Sequence, residues 1–212
     1  MNRLAPSLLA LLAACQAEPQ LAEPRQERAA PTPTPVGTPS DAPPPPHLAP
    51  DDPPRPEPTP LAAALTRAEW RKAENRASCA PIAFTTNAGA PGKARRAQFG
   101  GGWGVAFDTP TQRSAYGVAG AGLLDPQDDP AGQRDRLSRQ WPYFVELDAL
   151  PQPAFAGYGV AGAQPYPAGN PDGRALHSLA YLRIGGQRCT YNVWSHLGRA
   201  HLEALLDSLR ML

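Results

Sequence analysis

Four histidines, His47, His177, His196 and His201, are the side chains of this chain best suited to exchange a proton near neutral pH. His47 lies in a proline-rich stretch and is set aside. His196 and His201 are off the i, i+4 spacing that aligns two ligands on one helix face. No cysteine or acidic ligand accompanies them at a metal-site spacing, so neither a metal nor another cofactor is expected. His201 edges the apolar face of a C-terminal helix and reads as a packing residue. Serine, histidine and aspartate all occur, but no Gly-x-Ser-x-Gly elbow does, which leaves a serine hydrolase unsupported. Cys79 as a nucleophile fits poorly, because thiolates are activated at helix N-termini, whereas Cys79 follows a predicted helix and precedes Ala80-Pro81. No catalytic residue is assigned.

Gly100-Gly101-Gly102-Trp103-Gly104 has the glycine content of a phosphate-cradling loop. It lacks the Gly-Lys-Ser/Thr ending and a following helix, so it reads as a strand entry. Arg95, Arg96 and Trp103 around it are the candidate contact surface, since Arg and Trp are enriched where partners dock. Arg134, Arg136 and Arg139, interleaved with Asp135, read as a solvated loop or short helix.

The elements that must position these residues begin after a long N-terminal preamble. Arg3 is followed by an apolar run, Leu4 to Ala14, too short for a bilayer span of roughly 20 residues and suited to a cleaved secretory leader over residues 1–14. Small residues then lead into a cysteine. Leu12-Ala13-Ala14-Cys15 resembles the lipobox of bacterial lipoproteins, a resemblance confined to about the first fifteen residues. It implies that Cys15 is acylated through a thioether-linked diacylglycerol and becomes the new N-terminus. Palmitate-length chains at about 0.8 kcal/mol per methylene would hold the protein on a membrane. Gln16, where inner-membrane retention favours Asp, points to the outer membrane, facing the periplasm.

From Gln16 to Pro60 about one residue in three is proline, with little aliphatic bulk, a composition that cannot offset its ordering entropy. Residues 15–60 are thus expected to be a lipid-anchored disordered linker. Its polyproline stretches could reach roughly 140 Å at full extension. The linker carries a net charge of about −4 and residues 61–212 about +4. An imbalance that small excludes the strongly basic surface of a nucleic-acid-binding domain.

Residues 61–212 suffice for one domain that buries roughly 70% of its unfolded surface. Thr59 and Pro60 signal a helix over Leu61 to Ala77. A second helix from Leu197 places Leu202, Leu205, Leu206, Leu209 and Leu212 on one face. Between them lie strand-like runs: Ile82 to Thr86, Trp103 to Asp108, Ala115 to Ala119, Tyr143 to Leu147, Ala156 to Ala161, Leu176 to Ile184 and Arg188 to Trp194. Ile184-Gly185-Gly186-Gln187 is a hairpin signal. Strands that follow one another without helices favour an antiparallel sheet, and the fold class is α+β. Tyr116-Gly117-Val118-Ala119-Gly120-Ala121 recurs at 158–163, each copy after a tryptophan-led strand, which predicts two similar hairpins.

With Cys15 committed to lipid and the domain exported by the same resemblance, Cys79 and Cys189 are left to pair as a disulfide in an oxidising compartment. The resulting expectation is a non-enzymatic envelope lipoprotein, anchored in a membrane, whose domain binds an envelope protein or peptidoglycan. In architecture it is similar to the tethered outer-membrane lipoproteins that activate peptidoglycan synthases. An envelope hydrolase built around His177, His196 or His201 is the alternative.

Overall fold

The computed structural model describes residues 57–123 and 129–212, all within one unit, Pro54–Leu212. The leader, Cys15 and the linker up to residue 56 lie outside the described residues. The elements run α1 (Ala63–Lys72), a 3-10 turn (Glu74–Ala77), β1 (Ile82–Phe84), β2 (Lys93–Arg96), β3 (Trp103–Asp108), β4 (Tyr116–Leu123), α2 (Pro130–Gln140), β5 (Tyr143–Glu146), β6 (Phe155–Val160), β7 (Ser178–Arg183), β8 (Cys189–Ser195), α3 (Arg199–Asp207) and β9 (Leu209–Met211). Seven strands form one antiparallel sheet in the order β2-β3-β4-β8-β7-β6-β5, and β1 pairs with β9 in a separate ribbon. The class is α+β, as the strand succession implies.

Period-two alternation divides the sheet into two faces. The inner face presents Trp103, Val105 and Phe107 from β3, Tyr116 and Val118 from β4, Tyr191 and Val193 from β8, and Ala180 and Leu182 from β7. α1 and α3 pack over this face, and α3 seats Leu202, Leu205 and Leu206 in it; each such side chain fully removed from water contributes about 1.5–3 kcal/mol. The outer face carries a smaller cluster of Ala106, Ala119 and Trp194, flanked by Phe99, Ala97 and Leu179. α2 packs against β5, β6 and β7.

Both expected helices are shorter than their patterns. α1 begins at Ala63, not at Pro60, because the Leu61 amide donates to Phe84 O at 2.7 Å and holds the chain against β1. It stops at Lys72 because Ala73 turns extended (ψ 141°), and Asn75 then donates through its side chain to Gly120 O at 3.0 Å while its own N–H reaches Gly101 O. α3 ends at Asp207. Leu209 is fully buried but lies in β9, whose antiparallel pairing with β1 outcompetes another helical turn. The arginine-rich segment is helix α2, entered through Asp129, whose carboxylate accepts from Gly132 N at 2.8 Å, and through Pro130 at the first helical position.

The echoed segments occupy β4 and β6, the second strands of the hairpins β3–β4 and β5–β6. Tyr116 and Tyr158 both face the inner core. The copies then diverge, since β4 continues through a bulge between Gly120 and Gly122, whereas the second copy ends its strand at Val160 and turns through Gly162 (φ 86°). Cys79 and Cys189 are bridged, with Cα atoms 5.3 Å apart, tying the entry of β1 to the start of β8. The link is flanked by Arg188 N to Ser78 O at 2.8 Å and Tyr191 OH to Ala80 O at 3.0 Å.

Candidate functional site

Alternation along β7 and β8 sends Leu179 to the outer face with Asn192 and Trp194. Just beyond the ends of these strands, His177 and His196 come together as a stacked pair, ring centroids 4.3 Å apart and planes within 17°. Backbone bonds fix both positions: Ala161 N donates to His177 O, and His196 N to Ala115 O, each at 2.8 Å. Across from them the chain after β2 brings Ala97, Gln98 and Phe99 over the sheet. Between the two walls lies a groove of about 370 Å³.

Its apolar wall depends on missing side chains beneath it. Phe99 lies over Gly104, where a Cβ would sit 2.7 Å from the ring, and Trp194 likewise covers Gly117. The two aromatic rings meet at 5.9 Å, and Trp194 Nε1 donates to Ser114 O at 3.2 Å, which locks the indole. Polar groups line the opposite side. The Asn192 carboxamide and both imidazoles border the groove without a side-chain hydrogen bond among the described residues.

The charge at the groove end is already matched. Arg95 donates through Nε to both carboxylate oxygens of Asp108 at 2.9 Å and through Nη2 to Ser114 Oγ. The Ser114 amide donates to the same carboxylate at 2.7 Å. That bond, ahead of Arg95 itself, holds Asp108 below the ordinary carboxylate range against an opposing desolvation cost. Partial burial pulls His177 and His196 below the usual imidazole value, and at His196 the facing His177 adds to the effect. The pair is therefore neutral at pH 7. Stacked, nearly parallel rings direct their in-plane lone pairs along separate planes, so the two cannot converge on one metal ion. Among the described residues no group of three or more His, Cys, Asp and Glu side chains gathers where it could hold a metal ion.

His201 behaves differently. Its Nδ1 lies 3.0 Å from Ser195 Oγ and its Nε2 is 3.2 Å from Asn87 O, so Nε2 carries the proton and Nδ1 accepts from the serine. Ser195 is fully buried, and its oxygen also accepts from Leu197 N at 3.0 Å. A third polar cluster pins α3 to the sheet. Glu203 accepts from Arg199 Nε at 2.7 Å and from Tyr158 OH at 2.6 Å, and the Arg199 guanidinium lies 4.1 Å from the Tyr143 ring centroid. Burial first, then the Glu203 carboxylate, push the Tyr158 phenol up to about 12.

The expected contact surface of Arg95, Arg96 and Trp103 does not assemble. Trp103 is 1% exposed, packed on the inner face against Tyr191 at 6.2 Å; this corrects its reading as a surface residue. Its parity in β3 matches Val105 and Phe107, which seats the indole in the core instead of at a docking surface. Arg95 and Arg96 alternate to opposite faces of the edge strand β2, and only Arg95 borders the groove. Phe99, Asn192 and Trp194 went unnoticed in the sequence. The usable signal was parity, since Asn192 and Trp194 alternate with the core residues Tyr191 and Val193.

A larger hollow of about 610 Å³ lies between α2 and β7, lined by Leu137, Trp141 and Tyr181. Its polar side chains Gln133, Arg136 and Arg183 are each engaged in interactions of their own. No helix among the described residues is long and apolar enough to cross a membrane. No family model matches the chain, and neither a curated protein nor a solved structure is detectably similar to it.

Proposed function

We propose that this chain is a lipid-anchored protein of the bacterial cell envelope whose folded domain acts by binding rather than by turnover. Cys15 carries the anchor, residues 16–60 carry the domain away from the membrane, and the outer sheet face meets the partner, an envelope protein or peptidoglycan. The observation that carries the binding reading is the groove beside Trp194, where an aromatic wall faces a carboxamide and two imidazoles that have no side-chain hydrogen bond among the described residues. Asn192 and His196 are half-withdrawn from water, where polar groups without partners cost stability and a ligand that completes them recovers it. The Ser195–His201 pair, its serine fully buried, supports the same reading, because its hydrogen bonds are spent inside the fold.

The test uses full-length lipoprotein in detergent, co-sedimented with sacculi and separately with envelope membranes of its own organism. A Leu179→Glu variant with unchanged melting temperature places a charge on the outer face. Retention of the wild-type protein and loss of the variant supports the proposal; equal behaviour of the two, in either direction, overturns it.

A further inference from the structure

We infer that the groove between Phe99 and the stacked His177–His196 pair binds a neutral sugar chain bearing N-acetyl groups, the chemistry of a peptidoglycan glycan strand. This rests on the reading of the domain as an envelope binding module and names its ligand class. A volume of about 370 Å³ is that of a small-ligand cleft.

The lining selects among ligands by elimination. A fixed anion has no cation to meet, since Arg95 is held by Asp108 and Ser114 and the imidazoles are neutral at pH 7. A pure hydrocarbon would strand the Asn192 carboxamide and both imidazoles away from water. A peptide that adds as a strand needs a free sheet edge; the nearer edge, β2, would extend the sheet outward from β3, whereas β7 and β8 beneath the groove are interior strands paired on both sides.

What remains is a ligand with an apolar face and a polar edge. A pyranose ring offers a C–H face to Phe99, Leu179 and Trp194. Its hydroxyls and acetamido group offer donors and acceptors to Asn192, which has both, and to neutral imidazoles, each with one of each. The locked indole and the glycines beneath the aromatic rings form this wall before any ligand arrives, so little ordering entropy opposes binding.

The experiment is calorimetric titration of the full-length lipoprotein in detergent with a tetramer of N-acetylglucosamine, beside a glucose tetramer that lacks the acetamido groups. Saturable binding at one site is expected, weakened about tenfold or more by Asn192→Ala and by loss of the N-acetyl groups. His177→Ala, at an exposed position, gives a second variant that leaves the core intact. Absence of saturation, or binding that neither variant changes, overturns the inference. If the tetramer fails while sacculi or membranes still retain the wild type but not Leu179→Glu, the sugar assignment falls and the binding reading stands. If retention fails too, both fall.

Discussion

Ser195 Oγ and His201 Nδ1 lie 3.0 Å apart, hydroxyl against imidazole, with the serine fully buried. An envelope hydrolase would need such a pair, with an open path to the serine. Here the serine oxygen accepts from Leu197 N, and His201 Nε2 donates to Asn87 O, so the pair stitches the end of β8 to α3 and to the loop after β1. Tyr116 packs edge-on against the same imidazole at 5.0 Å.

Removing either partner should therefore cost stability and leave binding unchanged. Ser195→Ala and His201→Ala each strand a buried group of the other, a loss of about 1–3 kcal/mol. Urea titration of the two variants and of the double variant measures it. The double variant should lose less than the sum, because residues in one network do not add. Additive losses would mean that the hydroxyl and the ring act separately.

Acid should destabilise the domain before its carboxylates titrate. His177, His196 and His201 are all held below their ordinary value in the fold, chiefly by burial. The unfolded chain then binds more protons than the native state once pH drops below about 6.5. Stability contributed by these neutral rings is fully present above that pH and is lost as pH falls toward the folded values. The groups facing them do not reverse this: His177 lowers His196 further across the stack, the nearby Arg95 is paired with Asp108, and the hydrogen bond to Asn87 O raises His201 by less than burial lowers it. Denaturant midpoints at pH 8, 7 and 5.5 should be equal for the first two and lower for the third, and His177→Gln with His196→Gln should flatten the drop.

Much of this architecture was legible from pattern. Trp103–Asp108 is a strand with the bounds that its alternation implies, and the Gly185-Gly186 turn joins β7 to β8. What pattern missed was decided by distant partners. Lys93–Arg96 has no apolar alternation and becomes a strand because it pairs with β3, its Arg95 held by Asp108. The C-terminal leucines continue a helical period that the chain abandons, because β1 offers Leu209 to Met211 a backbone partner. The groove itself joins residues 99, 177, 192 and 196, which only the strand order β2-β3-β4-β8-β7 brings together.

Reduction should loosen the domain strongly. The Cys79–Cys189 bridge closes a loop with a sequence separation of 110, for which chain entropy alone predicts about 4–5 kcal/mol. Since β1, β9 and the start of β8 meet at this link, thermal melts with and without reductant should differ by many degrees. Two titratable thiols in the native protein would contradict the bridge.

Anchoring should depend on one atom. On the proposed anchor, Cys15→Ala removes the acyl acceptor, so the protein should leave the membrane fraction or accumulate unprocessed, and labelled palmitate should not enter it. Undiminished labelling of that variant would move the anchor elsewhere.

Gly157 supplies the sharpest test of how the outer face is built. It pairs with Phe144 and Tyr181 in the sheet, and a Cβ at this position would lie 2.7 Å from Trp141 Cδ1. Trp141 closes α2 and is 6% exposed, so its ring has little room to retreat. Gly157→Ala should accordingly cost about 1–3 kcal/mol by overpacking, with a changed near-ultraviolet spectrum as the indole shifts. The same substitution at Gly162, where the φ is 86° but nothing lies within 4 Å, would strain the backbone without touching that ring. A tryptophan signal that changes in Gly157→Ala and not in Gly162→Ala would show that the aromatic ring over the glycine, rather than backbone freedom, is what selects glycine in β6.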